Sequence, residues 1–266
     1  MDILEEIVAF KKKEVKERAE LYPVKLLEKS LFFEGKPVSM VEYIKRPDKV
    51  GIIAEFNRQS PSKGIINANA KVEKTSIGYM QAGASGLSIL TDNKFFGGSS
   101  EDLMEARKFN FCPILRKEFI IDEYQVVEAK SIGADVILLI ARILDKNQVE
   151  SLSRKAKELG MEILFEVHNE EELDKLCPEI DIVGVNNRNL KTFETDIQTS
   201  KDLSSQIPND FLKISESGIH SAETVMELKE YGFEGFLVGE RFMATARPEQ
   251  ACREFIKSIK EREVQA

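Results

Sequence analysis

From Gly51 onward the sequence repeats one unit eight times. Each repeat is a short apolar run, then a polar or glycine-containing turn, then a stretch with helical spacing. The runs are GIIAEF (51–56), GLSILT (86–91), CPILRK (112–117), DVILLIA (135–141), MEILFEV (161–167), DIVGVN (181–186), FLKISE (211–216) and GFLVGE (235–240). About five nearly continuous apolar residues mark a strand buried on both faces, as in a parallel sheet. Strict alternation of such strands with helices requires right-handed crossovers. Eight units predict closure into a (β/α)8 barrel, and a chain of 266 residues matches the size of one such barrel. A doubly wound open sheet is the alternative. It is disfavoured because no GxGxxG follows the first run.

The helical stretches carry their own stops. Segments 72–83, 122–134, 145–160 and 221–232 each have a glycine at or near the C-terminal end, and Asp145 is placed to cap the third. Residues 1–50 precede the first strand. They predict an amphipathic helix with Ile3, Ile7, Val8 and Phe10 on its apolar side, a short helix near 24–30, and a further stretch at 37–48. This reads as a helical extension capping one end of a single barrel domain spanning 1–266. Lys11-Lys12-Lys13, the longest basic cluster, reads as the solvated face of the first helix.

Composition narrows the function. A formal net charge of −8 and the absence of a basic stripe argue against nucleic acid or an anionic membrane as partner. No apolar run approaches the roughly 20 residues that span a bilayer, and the N-terminus lacks a signal-peptide pattern. The three separated cysteines, Cys112, Cys177 and Cys252, point to a reducing compartment, hence the cytoplasm. Neither CxxC nor HExxH occurs, so no metal site is expected. The sequence is compatible with a monomer or a weak homo-oligomer.

Barrel enzymes build their sites at the C-terminal ends of the strands. Glu55, Asn57, Lys117, Glu166, Asn186, Arg188 and Glu216 fall at that level. Each alone suits a solvated strand end. Together they converge on one mouth and supply acid, base and anion-binding groups, with a small phosphorylated molecule as the expected partner. SESG (215–218) and VGE (238–240) follow the last two strands, where barrels often hold phosphate, although tight turns alone would explain their glycines. RQSPSKG (58–64) reads as a mobile loop over the mouth. Phe95 and Phe96 expose aromatic rings after the second strand, suited to packing or to binding a planar ring.

With these residues in place a resemblance becomes specific. IIAEFNRQSPSKG (52–64) resembles the segment that opens the barrel of indole-3-glycerol-phosphate synthases. LTDNKFFGGS (90–99), PILRKEFIIDEYQ (113–125), LFEVHNEEEL (164–173), VGVNNRNL (183–190), KISESGI (213–219) and LVGERFM (237–243) resemble further blocks of that family, in the family's order. The resemblance implies conversion of 1-(2-carboxyphenylamino)-1-deoxyribulose 5-phosphate to indole-3-glycerol phosphate in tryptophan biosynthesis, with loss of carbon dioxide and water and with no cofactor. It further implies that Lys117 is the general acid, that Glu166 serves the dehydration half, and that Glu55 and Glu216 orient hydroxyls and hold Lys117 charged. Asn186 and Arg188 would bind the hydroxyl and carboxylate region. Ser217, Gly218, Gly239 and Glu240 would hold the phosphate, and Ser60 would sit on the mobile loop. Phe96 and Phe119 would bracket the aromatic ring, with Leu138 and Leu190 extending that apolar wall.

Two positions depart from the family pattern. Asn57 stands where a lysine is usual among the active-site residues, exchanging a charged hydrogen bond worth about 1.5–3 kcal/mol for a neutral one worth about 1. Lys63 lies nearby, whereas Arg58 is expected to point away from the face of Asn57. Glu118 replaces a common aspartate, a conservative change.

Overall fold

The computed structural model describes residues 3–189 and 191–265. Eight parallel strands close into a barrel: β1 (Ile52–Phe56), β4 (Gly86–Leu90), β5 (Ile114–Lys117), β6 (Val136–Ile140), β7 (Glu162–Val167), β8 (Ile182–Asn186), β9 (Leu212–Glu216) and β10 (Gly235–Val238). β1 pairs with both β4 and β10, so no edge is left and the open-sheet alternative is excluded. β2 (Gln59–Ser60) and β3 (Gly64–Ile65) form a small antiparallel hairpin inside the segment expected to be a plain loop. GFLVGE does not run on as strand. β10 stops at Val238, and Gly239 caps a four-residue helix.

The helices, in chain order, are α1 (Ile3–Leu21), α2 (Val24–Leu27), α3 (Met40–Ile44), α4 (Val72–Ala82), α5 (Ser100–Phe109), α6 (Glu123–Ser131), α7 (Lys146–Glu158), α8 (Gln198–Ser204), α9 (Ala222–Glu230), α10 (Glu240–Met243) and α11 (Pro248–Glu263). Asp145 caps α7 with a reciprocal Gln148 contact, as its sequence position predicts. No helix among the described residues is long and apolar enough to cross a membrane.

The period of two along each strand decides what points where. In β1, Ile52, Ala54 and Phe56 join the layer between sheet and helices, while Ile53 joins the barrel interior. Glu55 and Asn57 continue the inward parity of Ile53. The same parity takes Leu115 to Lys117, Leu164 to Glu166, and Ile214 to Glu216. In these four strands the inward row begins with an aliphatic side chain in the barrel floor and reaches a charged one at the mouth.

The segment before β1 touches both ends of the barrel. At the N-terminal end of the strands, Met40 of α3 occupies the space left by Gly86, where a Cβ would fall 2.4 Å from the Met40 sulfur. The first turn of α3 is held by Glu162, which accepts from the amides of Met40 (2.7 Å) and Val41 (3.2 Å). At the opposite end α1 reaches the mouth.

The buried stripe of α1 is Leu4, Ile7, Lys11 and Val15. This corrects the expected apolar face. Val8 and Phe10 are only partly buried, and Lys11, expected in solvent, is 1% exposed. The helical spacing from Ile7 to Lys11 to Val15 was present in the sequence, but a charged residue within it does not read as core. The partners that make its burial tolerable lie about 80 and 107 residues away in Asp92 and Glu118.

Candidate active site

At the C-terminal mouth of the barrel lies a cavity of about 330 Å³. Lys117, at the end of β5, stands at its charged centre. Its Nζ lies 2.5 Å from Glu216 Oε2 and 3.1 Å from Glu166 Oε2. Burial opposes the lysine's charge, but Glu216, Glu166 and Glu55 together outweigh it and raise the lysine's pKa. The amine is therefore a firm cation.

The carboxylates are not equivalent. Burial pushes Glu216 up to about 7 despite its contact with Lys117, and its Oε1 is buried without a hydrogen-bond partner. Glu166 is also buried, yet the pull of Lys117 and then His168 holds it below the ordinary carboxylate range. Burial raises Glu55, which accepts a 2.9 Å hydrogen bond from Ser88 Oγ. Three acids share one ammonium, so their protonation is divided among them. Titratable pairs whose environments push their pKa values apart can divide acid and base roles.

The rim beyond β9 and β10 has an unusual backbone. Ser217 adopts φ 65° and Gly218 φ 73°. A non-glycine residue in the left-handed region is uncommon and costs of order 1–3 kcal/mol. Asn187 holds this turn, its Nδ2 donating to Ser215 Oγ (2.9 Å) and to the Ser217 carbonyl (3.0 Å). Gly239 caps α10 beside the turn. A Cβ at Gly239 would come 2.8 Å from Glu55 Oε1 and 3.0 Å from Glu55 Cβ, so a side chain here would press on Glu55.

Arg188 spans the mouth. Its guanidinium donates to Ser62 Oγ and to Glu240 Oε2, both at 3.1 Å, while Lys63 lies 3.5 Å from Glu240 Oε1. These contacts tie the β2–β3 hairpin, which carries Ser60 at the end of β2 and Pro61 in its loop, to the rim. Asn186 accepts from the Arg188 amide at 3.0 Å. Arg58 points away, as expected, and clasps Asp102 at 2.6 and 2.9 Å. Asn57 lines the cavity and is 7% exposed, its Oδ1 without a hydrogen-bond partner.

The opposite wall is apolar. Phe96 and Phe119 lie with ring centroids 5.7 Å apart and tilted by 39°, with Leu138 on the same cavity. Among the described residues, no group of three or more His, Cys, Asp or Glu side chains could hold a metal ion.

The fold recurs in solved structures of low sequence identity. A 3-hexulose-6-phosphate synthase from Salmonella typhimurium superposes with a TM-score of 0.62 at 14% identity, covering 79% of this chain and 99% of that one. That likeness concerns the fold alone. The sequence comparison decides the family. The profile of indole-3-glycerol phosphate synthase matches residues 4–255. This chain belongs to the indole-3-glycerol phosphate synthase family. An indole-3-glycerol phosphate synthase of Bacteroides thetaiotaomicron is 46% identical over 258 residues, which cover 97% of this chain and 99% of that protein. One from Caldanaerobacter subterraneus subsp. tengcongensis is 41% identical, with the same two coverages.

For this member of the synthase family, the structure brings the residues given a role from the resemblance into one cavity, except Leu190, which lies outside the described residues; Phe95, the other ring offered by the sequence, packs against Phe10 instead. Several cavity residues carried no usable signal. Leu4 and Ile7 of α1 line the mouth, and so does His220. His168 sits 3.5 Å from Glu166 through Nε2 and 3.5 Å from Glu172 through Nδ1. Burial disfavours its charge, but these two carboxylates outweigh that and raise its pKa. Gly184 leaves room for the Glu216 side chain: a Cβ there would fall 2.3 Å from Glu216 Oε1.

Proposed function

We propose that the chain converts 1-(2-carboxyphenylamino)-1-deoxyribulose 5-phosphate to indole-3-glycerol phosphate, releasing carbon dioxide and water. The observation that carries this reading is Lys117, held between Glu216 and Glu166 with an aromatic wall on one side and the Ser217–Gly218 turn on the other. The substrate has matching parts: an aryl carboxylate at one end, a phosphate at the other, and the reacting ketone between them.

In this mechanism the phosphate rests on the backbone N–H groups of the Ser217–Gly218 and Gly239–Glu240 turns. The aryl ring lies against Phe96, Phe119 and Leu138, and Arg188 and Asn186 take the carboxylate and hydroxyl region. As the ring carbon attacks the ketone carbon, Lys117 gives its proton to the ketone oxygen, which becomes a hydroxyl. Loss of carbon dioxide leaves its electron pair in the ring and restores aromaticity. Lys117, reprotonated from solvent, then gives a second proton to that hydroxyl, which departs as water, while Glu166, held ionised, takes the proton whose removal forms the indole double bond. Glu55 and Glu216 orient the substrate hydroxyls and keep Lys117 charged. A Schiff-base role for Lys117 is disfavoured, because its carboxylates hold the amine protonated.

A second reading follows from Asn57. Without the usual lysine, this barrel binds the substrate but turns it over slowly. Indole fluorescence after mixing purified chain with substrate separates the two, with Lys117→Met as the blank. Turnover abolished in the blank supports the synthase. Binding without turnover favours the impaired reading, and neither binding nor turnover overturns both. The proposed setting is the cytoplasm, in keeping with three free, buried cysteines. A monomer or weak homo-oligomer is proposed as the working form.

A further inference from the structure

Lys11 of α1 is nearly as inaccessible as any core aliphatic, at 1% exposure. Its Nζ stands 2.9 Å from Asp92 Oδ2, 3.0 Å from Glu118 Oε1 and 2.6 Å from Glu14 Oε2. Asp92 and Glu118 are themselves buried, on the segments that follow β4 and β5. Burying such a cluster gains little stability over a well-packed apolar core, so its presence calls for another account.

The far side of each carboxylate supplies it. Asp92 Oδ1 accepts from the backbone amides of Phe95 (2.7 Å) and Phe96 (3.0 Å), and so fixes the turn that presents Phe96 to the cavity. Glu118 Oε1 accepts from the Phe119 amide at 2.8 Å, and its Oε2 accepts from Thr91 Oγ1 at 2.8 Å. Lys11 is thus the cation joining two anions, each of which holds the backbone of one cavity ring. A lysine suits this junction, because one compact ammonium hydrogen-bonds Glu14 and pairs by charge with both Asp92 and Glu118. Leu4 and Ile7, on the same face of α1, line the cavity itself.

We propose that Lys11 is a positioning residue for the aromatic end of the site: through Asp92 and Glu118 it sets the gap between Phe96 and Phe119 and hence the affinity for the substrate's aryl group. This rests on the reading above that the aryl group lies against those rings. Glu118 is then more than a conservative exchange, because its oxygen must reach Lys11 and the Phe119 amide together.

The test is a mutant cycle in the full chain, comparing Lys11→Met, Phe96→Ala and the double variant, with exposed Lys12→Met as control. Lys11→Met should raise KM for the carboxyphenylamino substrate about tenfold while kcat stays within about threefold. Inhibition by inorganic phosphate, which probes the other end of the cavity, should be unchanged. In the Phe96→Ala background the effect of Lys11→Met on KM should shrink to about twofold or less, because coupled residues are non-additive. A purely structural role would lower thermal stability and leave the KM effect the same in both backgrounds. An unchanged KM, or the same rise in both backgrounds, overturns the proposal. Should Lys11→Met fail to fold, Lys11→Gln carries the same expectations on the same cycle. Wild-type chain that neither turns over nor binds the substrate overturns the functional reading itself, and the Lys11 proposal with it. Turnover by wild type with an unaltered KM in the variant overturns the Lys11 proposal alone.

Discussion

Glu216 meets Lys117 at 2.5 Å through one carboxylate oxygen and leaves the other buried without a hydrogen-bond partner. Its pKa is pushed up to about 7, because burial and the nearby Glu166 oppose the help of Lys117. In the unfolded chain it would titrate near its ordinary 4.5. Between those values the folded chain holds a proton that the unfolded chain has lost. The contribution to stability is therefore full below 4.5 and is lost as pH rises through 7. Two outcomes are expected. The wild type's stability advantage over Glu216→Gln, followed by thermal unfolding, should decline from pH 4.5 to 7. The inflection of kcat/KM near pH 7 should disappear in Glu216→Gln. A wild-type profile flat through that range sinks the assignment.

Lys117→Met should lower kcat by roughly a thousandfold, within the usual range for loss of a positioned general acid. Inhibition by inorganic phosphate should persist, since the Ser217–Gly218 turn does not depend on this side chain. The variant should also be less stable at neutral pH. Leaving buried carboxylates without their cation costs about 3–5 kcal/mol where they are ionised. Stability partly restored at acid pH would support that account, whereas retained turnover would remove Lys117 from the chemistry.

The barrel and its charged mouth were legible in the sequence for one reason: both follow from strand parity. A run such as IIAEFN fixes which residues face inward, and the first polar residue on that face must lie where the barrel opens. What stayed hidden depends on contacts distant in sequence. Lys11 looked like a solvated lysine, because nothing within α1 shows that Asp92 and Glu118 will meet it. The β2–β3 hairpin gives no sequence signal, because its strands are two residues each. Gly184 gave no signal, since its role is only the room it leaves for Glu216.

Gly184→Ala tests that last point. The added Cβ would lie 2.3 Å from Glu216 Oε1 and 2.9 Å from Leu164 Cδ1. No real structure tolerates such contacts, so Glu216 must swing away from Lys117 or the strands must part. Overpacking of this kind costs about 1–3 kcal/mol. The fold should survive, with kcat down roughly tenfold or more, because small displacements of reacting groups are expensive. Adding Glu216→Ala to Gly184→Ala should recover much of the lost stability by vacating the space, but not the activity. Full activity in Gly184→Ala would show that the placement of Glu216 is not critical.

Asn57→Lys tests the departure from the family pattern that the resemblance implies. Asn57 lies two residues beyond Glu55 on the inward face, and its Oδ1 has no hydrogen-bond partner. Neither nearby cation stands in place of a lysine here: Arg58 is committed to Asp102, and Lys63 stands by Glu240 on the rim. A lysine at this position would face a substrate with two anionic groups, among three carboxylates. The gain from a neutral to a charged hydrogen bond is about 1–2 kcal/mol, or roughly tenfold in kcat/KM. Steady-state kinetics of the two chains under one set of conditions measures it. A gain near tenfold, spread over KM and kcat, identifies Asn57 as a handicap within a working site. A gain of several hundredfold, nearly all in kcat, means that a lysine here also transfers a proton and that the chain with Asn57 is a poor synthase. No gain, or a loss, means that the surrounding groups have adapted to asparagine and that the lysine's charge is dispensable in this member of the family.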